Sequence, residues 1–234
     1  MSRMDTPALY IIATPIGNLE DITLRAVSIL KNSVGMVACE DTRQTKKLLD
    51  RYGIAHPIRS LHTHSSENRV REIVNILLEG TSVAYLTDSG TPGISDPGAR
   101  LVAAAREAGV RIVPVPGCSA LAAIVSVSGS MSKRIVFGGF LSKKEGKRKT
   151  ELLELGRIPA TIILYESPYR IRKLLAAIAE VFPGRMVLIG REMTKLHEEF
   201  IFNSIENIMK EIHELKEKGE FTIAILNGES GSHV

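Results

Sequence analysis

The sequence predicts an α/β protein built from two α/β domains, the first around a mostly parallel sheet and the second around a mixed one. Three observations carry this. Apolar runs of strand length alternate with helical patterns through the first half. Strands outnumber helices in the second half. Nearly every polar constellation falls just past the carboxyl end of a predicted strand, the rim where α/β proteins keep their sites. The 234 residues, 44% hydrophobic and 24% charged, are enough for one substantial core or two small ones. The domains are expected at residues 1–118 and 133–234. Between them, 119–132 reads as a connection in which small-residue helix fades into Ser/Gly-rich chain.

In chain order, LYIIA (9–13) is a strand, followed by a helix near 22–31 that Asp21 can cap. VGMVA (34–38) and a helix near 42–51 come next, then a short strand at 58–61 and a helix near 67–79. The strand at 82–87, a helix near 98–108 and RIVPV (111–115) complete the first sheet. In the second half, RIVFGGF leads into a basic loop and a helix. TIILYES (161–167), a helix near 169–182, MVLIG (186–190), EEFIFN (198–203), a helix over 204–218 and FTIAIL (221–226) follow. Ile205, Ile208, Met209, Ile212 and Leu215 form one face of the 204–218 helix, with Ser204 to cap it and Gly219 to end it; this stripe is core.

Several classes are excluded. No apolar stretch approaches the roughly 20 residues that span a bilayer, and the amino terminus lacks a signal-peptide pattern, so a cytoplasmic protein with no membrane contact is expected. Cys39 and Cys118 are far apart and form no CxxC; both read as buried thiols rather than a disulfide or zinc framework. His62 and His64 alternate on a strand, but two ligands do not make a site, and no metal is expected. There is no GxGxxG after the first strand, and GxxxxGK[ST], GxSxG and HExxH are absent.

The most informative stretch is LTDSGTPGISDPG (86–98), a tight loop between a strand and a helix. Its three glycines permit positive φ or close backbone approach, and its two prolines stiffen it. Asp88 is placed to face a ligand, whereas Asp96 before Pro97 reads as a helix cap. ATPIGNLEDIT (13–23) turns at the end of the first strand. CEDTRQTKKLL (39–49) concentrates Glu40, Asp41, Arg43, Lys46 and Lys47 at the end of the second, which is equally a charged helix start or a functional group. PGCSA (116–120) offers Ser119 and backbone amides at a helix start. Glu166 in YESPYR and Glu192 in REMTKLHEEF follow later strands, where each has an arginine to pair with, Arg170 and Arg191. Lys143, Lys144, Lys147, Arg148 and Lys149, opposed by Glu145, read equally as a phosphate contact or a solvated loop within a net charge of +4. Phe140 is the only aromatic residue near this run in sequence, so no stacking platform is expected.

The succession ATPIGNLEDIT, EDTRQTKKLL, LTDSGTPGISDPG, VPVPGCSALAA, FGGFLSKKEGKRK, LYESPYR and REMTKLHEE, in this order, closely resembles the tetrapyrrole-methylase superfamily over about residues 8–226. The resemblance implies S-adenosylmethionine as cofactor, held in a cleft between the two domains, and a homodimer. Within the superfamily it points to the branch that methylates a cytidine ribose 2'-hydroxyl in the decoding region of 16S rRNA, with the small ribosomal subunit as partner. Carried over motif by motif, the cofactor contacts are Pro15, Ile16, Asp88, Thr91, Ser119, Ala120, Tyr165, Met193 and Thr222. The transfer needs alignment and one proton acceptor rather than a metal. The acceptor candidates are Glu40, Asp41, His62, His64 and Glu192. The group Glu40, Asp41 and Arg43 is preferred for its charge density, with Arg43 suited to hold a phosphate bidentately. The basic run would then neutralise RNA phosphates without reading bases. Two departures bear on RNA docking: SVSGSMSKR replaces a proline-containing linker, and the sequence stops soon after FTIAIL, where some members continue into a helical extension. The rivals are a corrinoid or porphyrin-precursor methyltransferase, which has less use for a basic loop, and a non-catalytic ribosome-binding factor, which would not bind the cofactor.

Overall fold

The computed structural model describes residues 6–62, 66–94 and 96–228. The chain divides into two compact units, Met1–Ser119 and Ala120–Val234. The segment expected as a connection thus opens the second unit, and a helix fills most of its length.

The first unit holds β1 (Ala8–Ile12), α1 (Leu24–Asn32), β2 (Met36–Cys39), α2 (Thr42–Arg51), β3 (Ile58–Ser60), α3 (Glu67–Leu78), β4 (Val83–Leu86), α4 (Gly98–Glu107) and β5 (Arg111–Val115). Its strands lie in the order β3-β2-β4-β1-β5, and every pairing is parallel. Side chains alternate across the sheet with period two. Ile12, Val37, Cys39, Ala84 and Leu86 pack with Ala26 and Leu30 of α1 and Leu48 and Leu49 of α2. Leu9, Met36, Ala38, Val83 and Tyr85 pack with α3 and α4 through Ile73, Leu77, Leu101 and Ala105. Both faces are covered, as a parallel sheet requires. Helix α1 is capped by Thr23, whose hydroxyl accepts from the Ala26 amide at 3.1 Å. Asp21, expected in that role, lies instead in a 3-10 turn, Leu19–Asp21, capped by Asn18. The helix accordingly begins at Leu24, two residues later than expected.

The second unit holds α5 (Ala120–Val127), β6 (Ile135–Gly139), α6 (Glu145–Gly156), β7 (Thr161–Glu166), α7 (Ile171–Val181), β8 (Met186–Arg191), β9 (Glu199–Ser204), α8 (Ile205–Lys210) and β10 (Phe221–Ile225). The order is β6-β7-β10-β8-β9; β6 and β7 run parallel and the other neighbours antiparallel, so the sheet is mixed. One face, with Ile162, Leu164, Val187, Ile189, Ile223 and Ile225, packs against α7 and α8. Helix α5 packs on β10, and its Ile124 approaches Gly190 of β8.

Helix α8 is shorter than the 204–218 helix expected. Ser204 caps it as expected, accepting from the Asn207 amide. Beyond Lys210 the chain tightens into turns in which Glu214 and Leu215 donate to the carbonyls three residues back. Those turns still bring Ile212 and Leu215 to the core beside Met209 of α8, because i to i+3 spacing serves a tight turn as well as a helix. Gly219 therefore ends no helix. Its φ of +95° lies where the Glu192 side chain occupies the space a Cβ would need.

Candidate functional site

In the first unit the predicted residues converge on Gly90. Its φ is +83°, a conformation that glycine adopts without a steric penalty. It pairs with Thr14 by two backbone hydrogen bonds, 3.0 and 3.1 Å, which tie the loop after β4 to the loop after β1. A Cβ at this position would lie 3.3 Å from Ile16 Cγ2, 3.7 Å from the Cys118 carbonyl and 4.0 Å from Ser119 Cα. Thr91 Oγ1 donates to that same carbonyl at 2.8 Å. Ile16, Thr91 and Ser119 thus sit around one glycine, with three strand-end loops meeting there. Pro15 and Asp88 border an adjacent cavity of about 110 Å³, shared with Thr14, Thr87, Gln44, Thr45 and Lys47.

Asp88 also has a structural task. Its Oδ1 accepts from the Asp41 amide at 2.9 Å, holding the β2–α2 loop beside the β4 loop. Asp41 caps α2, its carboxylate accepting from the Arg43 amide at 2.7 Å. Glu40 is half-buried and Arg43 exposed. Burial pushes the Glu40 carboxyl above its ordinary value, and the neighbouring carboxylates Asp88, Asp96 and Asp41 push it further. Asp88 is raised as well, by burial and the Asp41 charge against the opposing Asp41 amide bond. Asp96, expected as the helix cap, lies one residue before the N-cap of α4, which is Pro97, and its carboxylate instead ties the loop together. It accepts from the Gly98 amide at 2.7 Å, from the Gly93 amide, and from the Tyr85 hydroxyl at 3.3 Å.

In the second unit the predicted residues share one patch of sheet. Thr222 is the β10 partner of both Tyr165 on β7 and Gly190 on β8. Tyr165, Thr222 and Gly190 therefore form a row across three strands, on the face opposite the main core. The Tyr165 hydroxyl accepts from the Leu121 amide at 3.1 Å, fixing the first turn of α5, which Ala120 begins. A Cβ at Gly190 would lie 2.8 Å from both Met193 Sδ and Ile124 Cδ1. Met193 and Thr222 are 7% and 5% exposed. Phe137 and Phe140 pack edge-on against Tyr165, with ring centroids 4.8 and 5.8 Å away. Sequence reading missed this aromatic cluster because the three rings are brought together by β6–β7 pairing, not by proximity in sequence.

The basic run is divided by the fold. Lys143, Lys144 and Lys147 are exposed, but Arg148 is only 4% exposed and its guanidinium reaches the Ser142 carbonyl. Lys149 is paired with Glu145 at 2.9 Å and Glu180 at 2.6 Å. From Lys147 onward the run is helix α6, which turns Arg148 inward. Cys39 is buried, while Cys118 is half-buried and donates to the Asp21 carbonyl. Glu166 pairs with Arg170 as expected, at 3.0 Å. Glu192 pairs with Lys195 rather than Arg191, whose partner is Glu199, because the chain reverses just after β8. His62 is exposed; His64 lies outside the described residues. Among the described residues no group of three His, Cys, Asp or Glu side chains is placed to hold a metal, and no helix is long and apolar enough to cross a membrane.

A family model described as Tetrapyrrole (Corrin/Porphyrin) Methylases matches residues 8–209. Proteins named Ribosomal RNA small subunit methyltransferase I are similar along most of the chain. The one from Leptospira biflexa is 45% identical over 194 residues, 83% of this chain and 80% of that protein. That from Borrelia garinii subsp. bavariensis is 45% identical over 224 residues, covering 95% and 100%. Among solved structures, a cobalt precorrin-4 methyltransferase of cobalamin biosynthesis superposes with a TM-score of 0.72 at 16% identity, covering 97% of both chains. A diphthine synthase gives 0.69 at 12% identity, covering 94% and 90%. At such identities these structures speak for the fold alone. With the family model and the curated relatives in agreement over most of its length, the chain belongs to the tetrapyrrole (corrin/porphyrin) methylase family.

Proposed function

We propose that this chain transfers a methyl group from S-adenosylmethionine to the 2'-oxygen of a cytidine ribose in the decoding region of 16S rRNA. In this reading it acts in the cytoplasm as a homodimer on the assembled small ribosomal subunit. The observation that carries the reading is the 40–48% identity to proteins named as small-subunit rRNA methyltransferases. The corrinoid and porphyrin enzymes are matched at 16–18% and share the fold. S-adenosylmethionine is the methyl donor of this family.

The residues present suit that cofactor. The cradle at Gly90 offers close approach to backbone, the Thr91 and Ser119 side chains and the Asp88 carboxylate, groups able to hold hydroxyls and an amino-acid tail. The row of Tyr165 and Thr222, with Met193 beside it, offers an apolar wall with few polar atoms, as small-molecule sites do. Pro15, Ile16 and Ala120 complete the set. When bound, the sulfonium supplies an electrophilic methyl group. The chain's own work is alignment and management of one proton. Glu40, half-buried and raised above its usual range, is the group suited to take a proton from a ribose hydroxyl. Asp41 holds the helix start that carries Arg43, and the exposed Arg43 guanidinium suits a phosphate of the substrate. Lys143, Lys144 and Lys147 would add sequence-independent phosphate contacts.

The test incubates the purified protein and labelled S-adenosylmethionine with small subunits lacking decoding-region ribose methylation, with naked rRNA alongside, and maps the product by mass spectrometry. One new cytidine ribose methyl, in subunits only, is expected. Methylation of naked rRNA as well would remove the particle requirement. No incorporation despite cofactor binding would overturn the RNA reading.

A further inference from the structure

We propose that Glu192 is a positioning residue: its carboxylate, clamped between the Lys195 ammonium and the Glu220 amide, holds Met193 against the sheet face that carries Tyr165 and Thr222. The inference rests on the assignment of Met193 to the cofactor-binding group above.

Strand β8 ends at Arg191, and the chain then reverses. Glu192 has φ +50° and Thr194 φ +66°, the two non-glycine residues with positive φ among those described. Such backbone is costly for residues with a Cβ and persists where the surroundings over-determine it. Here they do. Glu192 Oε1 accepts from Lys195 Nζ at 2.9 Å and from the Glu220 amide at 2.9 Å. The Glu192 amide donates to the Glu220 carbonyl at 3.0 Å. Lys195 Nζ also reaches Glu220 Oε2 at 2.9 Å, and the Thr194 amide donates to Glu198 Oε2 at 2.7 Å. Gly219 leaves the room that the Glu192 side chain fills.

The residue between the two left-handed positions is Met193. It is turned inward, and Gly190 lacks the Cβ that would meet its Sδ. A clamp on one side and a missing Cβ on the other fix a flexible side chain that would otherwise sample several rotamers. Burial pushes the Glu192 carboxyl up, but the Lys195 and Glu220 hydrogen bonds and the Lys195 charge outweigh it and leave the group below its ordinary value. A carboxylate held charged in this way is an anchor and a poor proton acceptor, which removes Glu192 from the candidates for that role.

Calorimetric titration of the full chain with S-adenosylmethionine, alongside thermal melts, tests this on Met193→Ala, Glu192→Ala, Glu192→Gln and Lys195→Ala. Glu192→Ala is expected to weaken binding about tenfold, the scale of losing a charge-assisted hydrogen bond. Glu192→Gln, whose amide oxygen still accepts from Glu220, recovers most of that loss, and Lys195→Ala falls between. If Met193→Ala weakens binding and Glu192→Ala does not, the clamp is only a fold feature and the proposal falls while the Met193 assignment stands. If Met193→Ala binds normally, that assignment fails and takes the proposal with it. Should Glu192→Ala not fold, unchanged affinity in Lys195→Ala overturns the proposal.

Discussion

Single positions in this chain answer to two demands, and substitutions separate them. Gly90 combines a φ of +83° with a gap bounded by Ile16 and Cys118. Gly90→Ala is expected to cost about 1–2 kcal/mol of stability through backbone strain alone. It should also weaken S-adenosylmethionine binding, because the added methyl presses on Ile16 in the cradle. Melting and titration on one sample check this; a lowered Tm with unchanged affinity would remove the Gly90 loop from the cofactor site. Glu40 offers a second separation. Its folded pKa is raised, first by burial and then by Asp88, Asp96 and Asp41, so its charged form is disfavoured in the fold. The stabilisation from the protonated form is complete below the ordinary carboxylate value and is lost as pH rises through the raised one. Glu40→Gln is therefore expected to raise stability near neutral pH, by less than about 1 kcal/mol once solvent screening is counted, and to change little near pH 3–4. Tm measured against pH checks the sign. The same variant should lose methyl transfer if Glu40 takes the proton, so stability and activity move in opposite directions.

Elements decide which of the clustered charges are free to act. Asp41 was legible as part of a dense charged group at a strand end, but its cap geometry is a three-dimensional fact: the carboxylate turns back onto the Arg43 amide. Asp41→Ala is expected to cost about 1 kcal/mol, and Asp41→Asn much less, since asparagine caps nearly as well. Were Asp41 the proton acceptor, Asp41→Asn would abolish transfer while keeping stability; retained activity in a melt-matched sample removes Asp41 from the acceptor candidates. The segment 204–218 departs from a single helix for a related reason. The spacing of Ile205, Ile208, Ile212 and Leu215 encodes burial of one face, and both a helix and a run of tight turns satisfy it. The β4 loop was read more fully because glycine and proline specify backbone directly in the sequence. Left-handed Glu192 and Thr194 carry no such mark. Their conformation is imposed by Lys195, Glu198 and Gly219, partners whose contact the sequence does not announce.

For the whole molecule, hydrophobic periodicity exposed the parallel sheet of the first unit and the mixed sheet of the second, because each strand displays its burial pattern locally. Charge is less readable, since the fold decides which cations meet solvent. The run from Lys143 to Lys149 looks uniform in sequence, yet the structure buries Arg148 and pairs Lys149 with Glu145 and Glu180. Lys147 approaches Glu151 only at 3.9 Å, and Lys143 and Lys144 are exposed. If this segment contacts RNA, its contribution comes from those three lysines. Each phosphate neutralised on a single strand releases counterions and adds about 0.7 to the slope of log affinity against log salt. Replacing Lys143, Lys144 and Lys147 with alanine should therefore flatten that slope by up to about 2 and weaken binding most at low salt, with Tm and cofactor affinity unchanged. Arg148→Ala should act differently. It removes a buried side chain that braces the Ser142 carbonyl, so it lowers Tm and leaves the salt slope of the folded fraction as it was. RNA titrations from low to high salt on both variants distinguish these outcomes. A slope unaltered by the triple substitution would make the lysines a solvated surface and move the RNA contact elsewhere on the chain.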